Sequence, residues 1–220
     1  MTVLFWARLA DVLEAMLAGL RDTFARGDRR QLAGTKHLDD VLDGLNTAIK
    51  AYLTTLDPQA MTDADHRRAR EILCFATNME HAGDVVQRNL LGLVAKSIKR
   101  GLVVSIDGQA ELLGLIDRLT ANVRTAASVF VTEDVRAARL LAAEKEAFRD
   151  IEAKATVAHL DRLRVGGPET AETSSLHLDA LRDLKRVNAH LVAAAAYPVL
   201  ENKGELLPNR LRQDEMGADG

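Results

Sequence analysis

Apolar residues recur every three to four positions over long stretches of this 220-residue chain, which is the spacing of one face of an α-helix. The clearest stripe lies between residues 72 and 90 and consists of Ile72, Ala76, Met79, Gly83, Val86 and Leu90. Its alternating steps of four and three keep one face of a helix against a partner helix. Because proline and aromatic residues are also few, we predict an all-α protein.

Capping signals and helix breakers divide the chain into six predicted helices. "TDAD" at 62–65 reads as a capping box, with Thr62 as the cap and Asp65 as its acidic partner. Asp57-Pro58 ends the preceding helix, since a residue before proline disfavours helical geometry. The predicted helices span residues 3–25, 28–56 and 62–98, then begin near 105 and 132, and the last spans 171–201.

The helices form a long-period repeat. Adding 105 to five positions of the stripe gives a second stripe in the sixth predicted helix, which consists of Leu181, Leu184, Asn188, Leu191 and Ala195. "FARGD" at 24–28 and "FVTED" at 130–134 mark matching helix connections 106 residues apart. We predict a six-helix bundle of two tandem three-helix repeats, residues 1–100 and 101–208, followed by a flexible tail at 209–220.

Composition narrows the classes of function. The formal net charge is −3 with acids and bases mixed along the chain, so no basic stripe indicates a nucleic-acid partner. The single cysteine, Cys74, lies in an apolar helical pattern and is expected to be a small buried core residue in a reducing compartment. The start "MTVLFWARLA" lacks the cationic leader of a signal peptide, and Phe5 and Trp6 are expected to pack against the body. The longest apolar run, at 191–200, is too short to span a bilayer.

Two acidic pairs are spaced for one helix face. Glu80 and Asp84 lie four residues apart on the third predicted helix, and Asp39 and Asp43 do so on the second, with Asp40 between them. Carboxylates at this spacing stand one above the other and can direct oxygens at one hard cation. Counted from the turn near residue 60, both pairs lie at similar heights on antiparallel neighbours, where they repel one another unless water or a cation screens them. We predict that these two pairs hold a metal ion.

The second half departs from this pattern. Glu146 and Asp150 again lie four residues apart and are further candidate ligands, but the residues that match the first-half pair on the sixth helix are Lys185 and Ala189. Lys185 lies at a similar distance from the turn near residue 167 as the two acids do. We expect its ammonium group to reach the acidic pair and to replace the metal in this half.

The sequence offers no candidate for catalysis. Its histidines form no two-His motif on one helix, although His37 and His81 are close enough to the acidic pairs to serve as spare ligands. No Ser-His-Asp or Cys-His arrangement follows from the spacing, and Gly166-Gly167-Pro168 is interpreted as a helix-ending turn. We therefore predict that the chain is not an enzyme.

Several of these motifs resemble a known family. Two three-helix units with acidic pairs, and above all "NMEHAGD" at 78–84, resemble the PhoU family of phosphate-uptake regulators. "LRDLKRVNAHL" at 181–191, followed by "AYPVLENKGEL" at 196–206, is more similar still to the PhoU-like cytoplasmic domain at the C-terminus of bacterial Na+/phosphate cotransporters. The resemblance extends from about residue 7 to about residue 212.

The resemblance implies a PhoU-like bundle that modulates phosphate transport and holds metal clusters on its surface. By motif match, the metal role carries over to the four first-half carboxylates, and less directly to Glu146 and Asp150, whose partner motif is lost at Lys185 and Ala189. The metal is expected to be a divalent or iron-type ion, with Fe, Zn, Mg and Ca not distinguished.

The resemblance also implies a partner and a place in the cell. The expected partner is the membrane portion of a Na+/phosphate cotransporter, in cis or in trans, on the cytoplasmic side of the inner membrane. The abrupt start of the chain fits a domain excised from an integral membrane protein, and the alternative is a free-standing relative. An amphipathic bundle is also compatible with a homodimer.

Two alternative functions remain open. One is a helical protein-interaction module of the same fold that binds no metal, with its acidic face serving solubility or partner recognition. The other is a bundle-type metalloenzyme, which requires Glu-x-x-His ligand pairs on two helices. The sequence contains no matched pair of those motifs.

Overall fold

The polypeptide folds into long antiparallel helices. A computed structural model describes residues 3–27, 29–102, 104–165 and 168–205, and no strand occurs in those ranges. The helices are α1 (Val3–Arg26), α2 (Arg29–Thr54), α3 (Asp63–Asp84), α4 (Leu91–Arg100), α5 (Ile106–Thr132), α6 (Val135–Val165), α7 (Pro168–Leu191) and α8 (Tyr197–Asn202). A π-helical segment, Val85–Leu90, joins α3 to α4, and a second, Val192–Ala196, joins α7 to α8. Because each π segment joins two α-helices into one continuous rod, the described residues form six rods, which are α1, α2, α3–α4, α5, α6 and α7–α8. This confirms the predicted six-helix bundle of two tandem three-helix units.

Local signals place most helix ends where the sequence predicts them. The Thr62 hydroxyl accepts a hydrogen bond from the backbone N–H of Asp65, whose carboxylate accepts one from the backbone N–H of Thr62, so the capping box is confirmed. Gly101 ends α4 with a φ of 67°, a left-handed conformation that glycine adopts without strain. The sixth rod begins at Pro168, three residues earlier than predicted, because proline suits the first turn of a helix. The predicted turn at Gly166 and Gly167 and the predicted tail at 209–220 lie outside the described residues.

The two π-helical segments are a feature that the sequence analysis did not predict. In the second, Pro198 has no backbone N–H to donate to the carbonyl four residues earlier, and its ring crowds that carbonyl. The rod widens into a π-turn just before the proline, over Val192–Ala196, which relieves that crowding. The first segment, Val85–Leu90, contains no proline, so the same cause does not apply to it.

One hydrophobic core joins both halves. α1 packs between α2 and α5, while α7 packs against α3, α5 and α6. Both predicted stripes are buried in this core. Phe130 stacks on Phe75 with ring centroids 4.2 Å apart and meets the edge of Trp6 at 5.5 Å, which confirms that Trp6 packs against the body; the side chain of Phe5 lies outside the described residues.

Cys74 is half-buried rather than fully buried, so that prediction was wrong in degree. Its Sγ lies 3.7 Å from the carbonyl oxygen of Ala193, in the widened π segment. Burial raises the pKa of the thiol, which makes it a poor nucleophile. Within the described ranges, no helix is both long enough and apolar enough to cross a lipid bilayer.

Candidate metal centre

Asp39 on α2 is a buried carboxylate without a partner. Only 5 % of its surface is exposed, and no described residue hydrogen bonds to it or forms an ion pair with it. Burying a charge is costly unless it is paired. A proton or a cation from outside the described residues would therefore stabilise Asp39.

The electrostatic surroundings of Asp39 are mainly negative. Burial and, to a smaller extent, the carboxylates of Asp43 and Asp84 raise the pKa of Asp39 to about 6, although Arg88 opposes the shift. Two helices thus contribute acids to one place, as the acidic pairs predict. At neutral pH these side chains carry more negative charge than their described neighbours compensate.

Asp84, the last residue of α3, is the second unsatisfied acid. Its Oδ1 is buried and accepts no hydrogen bond from the described residues. Arg88 Nη2 lies 2.9 Å from this oxygen without the alignment of a hydrogen bond. Since 65 % of the Arg88 side chain is exposed, solvent screens the attraction.

Gly83 allows α2 to approach α3 closely enough to bury Asp39. A Cβ atom at Gly83 would lie 2.5 Å from Cδ1 of Leu42, and 3.6 Å from both Oδ1 of Asp39 and Cε of Met16. Leu42 is fully buried, so it has little room to move away. The missing side chain at Gly83 therefore positions the Asp39 carboxylate beside α3.

Asn46 offers an amide oxygen as a further candidate ligand, which the sequence did not predict. It is buried on α2, and its Oδ1 has no hydrogen-bond partner among the described residues. It lies seven residues after Asp39 and therefore on the same helix face, which is the signal that could have identified it. Amide oxygens, like carboxylates, are ligands of hard cations. We name Asp39, Asp43, Asn46, Glu80 and Asp84 together the α2–α3 site.

The remaining predicted ligands of the first half lie nearer to solvent. Asp43 is exposed, and Glu80 is half-buried with Oε2 3.5 Å from Nε2 of the neighbouring His81. His37 lies beside Asp40 instead, with Nδ1 3.8 Å from its carboxylate. Of the two candidate spare ligands, His81 is thus the one that adjoins the α2–α3 site.

The second-half candidates are placed differently from the first-half ones. Glu146 is exposed and pairs with Arg149 on its own helix, and Asp150 is exposed. Lys185 pairs with Glu152 rather than with those two acids, so the predicted partner was wrong. Glu152 lies two residues beyond Asp150, and two residues correspond to about 200° of rotation on a helix. Equal distance from the turn predicted the height of the acids but not the direction in which they point.

The donor set of the α2–α3 site suits a hard cation. All five residues offer oxygen, the ligand that Mg²⁺, Ca²⁺ and Mn²⁺ favour. In the part of the chain that the structure describes, no three His, Cys, Asp or Glu side chains already surround a single metal position.

Comparison with known proteins shows what the chain is similar to. Residues 7–88 match the PhoU domain. The chain is PhoU-like. The crystal structure of PhoU from Pseudomonas aeruginosa superposes with a TM-score of 0.81 over 91 % of this chain and 94 % of that one, at 16 % sequence identity. At this identity the superposition establishes the PhoU fold and nothing further.

Longer relatives contain a region similar to this PhoU-like chain. It is 37 % identical over 198 residues to the Escherichia coli K12 protein named "Putative inorganic phosphate export protein YjbB". It is also 37 % identical over 194 residues to the protein of the same name from Salmonella typhimurium. The alignments cover 90 % and 88 % of this chain but 36 % and 35 % of the relatives, so the chain spans about a third of their length.

Proposed function

We propose that this PhoU-like chain is a non-catalytic regulatory domain of phosphate transport whose first half binds a divalent or iron-type cation between α2 and α3. The name of its longer relatives supports a link to inorganic phosphate. The proposed partner is the membrane portion of a Na+/phosphate cotransporter, in cis or in trans. The domain then acts at the cytoplasmic side of the inner membrane.

The observation that carries the proposal is the unpartnered carboxylate of Asp39. Its burial at 5 % exposure and the proximity of Asp43 and Asp84 create a need for positive charge that the mostly exposed Arg88 meets only in part. A hard cation meets this need, since carboxylate and amide oxygens are its preferred ligands. The Oδ1 atoms of Asp84 and Asn46, which accept no hydrogen bond from the described residues, add two further acceptors on the same pair of helices.

A cation at this site couples two helices of the first half. Asp39 is held on α2 and Asp84 at the end of α3, next to the π segment. Neutralising the two carboxylates removes their mutual repulsion and joins α2 to the third rod. The charge and the rigidity of this face then depend on cation occupancy, and a transporter partner can respond to either.

Phosphate flux tests the regulatory role. The natural full-length protein is produced in cells with Asp39→Asn and Asp84→Asn together, and radiolabelled phosphate entering and leaving the cells is measured. We expect the double variant to alter the response of flux to external phosphate. Asp150→Asn, at an exposed acid of the second half, is the matched control and should behave as wild type. Wild-type flux in the double variant would contradict the proposal.

The second candidate function is a PhoU-like interaction module that binds no metal. It is favoured by Arg88, whose guanidinium lies 2.9 Å from Asp84 and supplies some positive charge without a metal. Elemental analysis of protein purified without chelator separates the two functions. A stoichiometric metal that is lost in Asp39→Asn supports the cation site, whereas metal-free wild-type protein supports the interaction module.

A further inference from the structure

The buried residues establish a residue-by-residue register between the halves. Adding 106 to nine buried or partly buried positions of α1 gives nine buried positions of α5, which are Leu112, Leu115, Ile116, Leu119, Asn122, Val123, Ala126, Val129 and Phe130. The same offset relates Leu42 and Ile49 of α2 to Phe148 and Ala155 of α6, which are also buried. Between α3 and α7 the offset is 105, and it takes Gly83 to Asn188.

A contact between helices repeats in the same register. In the first half, Met16 lies 3.6 Å from the position of a Cβ atom at Gly83. The matching residues of the second half are Asn122 and Asn188, and the Asn122 amide donates a hydrogen bond of 2.9 Å to Asn188 Oδ1. The two halves thus share this contact position as well as their buried stripes.

In this register, three of the five residues of the α2–α3 site are replaced by bases, while Ala189 stands at the position of Asp84. Lys145 stands at the position of Asp39, and Arg149 at the position of Asp43. On the third rod, Lys185 stands at the position of Glu80. Three acids of the first half are therefore matched by three bases of the second. Glu146 and Asp150, the acids that the sequence analysis favoured, match Asp40 and Gly44 instead.

The bases of the second half are accommodated without a metal. Lys185 pairs with Glu152, which stands at the position of Asn46, and Arg149 pairs with Glu146. Lys145 has no carboxylate partner among the described residues; its Nζ donates to the Tyr197 hydroxyl at 2.9 Å and lies 5.3 Å from the ring centroid. Ammonium and guanidinium groups repel a cation at this place.

We propose that cation binding by this domain is one-sided: the first half binds the cation, and Lys145, Arg149 and Lys185 keep the second half cation-free by standing where the ligands would be. This inference rests on the proposed cation site of the first half. Its consequence is that exchanging the residues at these three positions together should change which half binds the cation, because both sets of side chains already fit the same fold.

Stoichiometry of Mn²⁺ binding to the whole chain tests the inference, measured by equilibrium dialysis on chelator-treated protein. The variant Lys145→Asp with Arg149→Asp and Lys185→Glu should bind about one Mn²⁺ more than wild type, since it supplies carboxylate ligands. The variant with glutamine at the same three positions is the control, and it should gain none. No gain in an acidic variant with the circular dichroism of wild type would overturn the inference.

A reverse variant covers the case in which the acidic one fails to fold. Asp39→Lys with Asp43→Arg and Glu80→Lys gives the first half the bases of the second, and it should lose all Mn²⁺ binding while keeping its helix content. Binding that persists in this variant would place a cation in the second half and overturn the inference. If wild type binds no Mn²⁺ and the acidic variant does, the proposed function fails while the role of the three bases stands.

Discussion

Oδ1 of Asp39 lies 3.6 Å from the position that a Cβ atom would occupy at Gly83. The close approach of α2 to α3, and with it the burial of the acid, thus depends on a residue without a side chain. Because the same Cβ atom would lie 2.5 Å from Cδ1 of buried Leu42, either the Leu42 side chain must repack or the two helices must separate to admit a methyl group.

Gly83→Ala should therefore destabilise the protein by about 1–2 kcal/mol, since overpacking outweighs the gain in helix propensity. Gly44→Ala is the matched control, because nothing lies within 4 Å of a Cβ atom there, and it should stabilise the protein by up to about 1 kcal/mol. Urea denaturation measures both. Equal stabilisation by the two substitutions would contradict the packing that buries Asp39.

Removing the charge of Asp39 should stabilise the metal-free protein. Its folded-state pKa of about 6 exceeds the ordinary value of 3.8. At a pH between these two values, the folded protein therefore binds more protons than the unfolded chain. Stability then falls as pH rises through about 6, by up to about 3 kcal/mol. Asp43, Asp84 and Asp40 increase this effect and Arg88 reduces it.

In chelator near pH 7.5, Asp39→Asn should gain about 1–3 kcal/mol of unfolding free energy, and near pH 4 the gain should vanish. Asp150→Asn, at an exposed position, should change stability by less than about 0.5 kcal/mol. Denaturant titrations at both pH values measure the difference. Destabilisation by Asp39→Asn at pH 7.5 would show that the charged carboxylate is paired.

Glu144 should show the opposite pH dependence. Arg118 Nη2 donates to its Oε1 at 2.8 Å and Asn122 to its Oε2 at 3.0 Å, and the Arg118 hydrogen bond, assisted by Asn122, lowers the pKa of Glu144. The stabilisation is present above the ordinary pKa of 4.5 and is lost as pH falls below it. Glu144→Gln should cost about 1–3 kcal/mol near pH 7 and less near pH 3. A loss that does not depend on pH would contradict this account.

Arg88 competes with the proposed cation. Its guanidinium lies 2.9 Å from Asp84 Oδ1 while most of its side chain is exposed, so it must move aside when the cation binds. Arg88→Gln should tighten Mn²⁺ binding about three- to tenfold, which corresponds to roughly 0.7–1.4 kcal/mol. Arg149→Gln removes a similar ion pair in the second half and should leave the affinity unchanged. Weaker Mn²⁺ binding in Arg88→Gln would indicate that Arg88 organises the site instead.

The fold was largely predictable because its signals are local. The capping box at Thr62, the glycine that ends α4 and the stripes from Ile72 and from Leu181 each follow from a few neighbouring residues. The π segments were not predictable in the same way. Pro198 indicates where a rod is perturbed, but whether the helix kinks or widens depends on what packs against it.

The sequence predicted the heights of the site residues along their helices, but it did not predict the directions in which their side chains point. Spacing placed Asp39 and Asp84 near each other, whereas the burial of Asp39 follows from the approach of α2 to Gly83, which no pattern on either helix encodes. The same limit explains Lys185, which pairs with Glu152 because that residue turns toward α7. Asn46 was not predicted because its amide carries no charge, and the candidate ligands were identified from the spacing of charged residues.

The central claim is that Asp39 and Asp84 bind a cation, and calorimetric titration of Mn²⁺ into chelator-treated protein tests it most directly. Wild type should bind Mn²⁺ near pH 7.5, and near pH 6 binding should release protons from Asp39, seen as an enthalpy that depends on the buffer. The double variant Asp39→Asn with Asp84→Asn should bind none. Absence of Mn²⁺ binding in wild type, or equal binding in the double variant, would contradict the account.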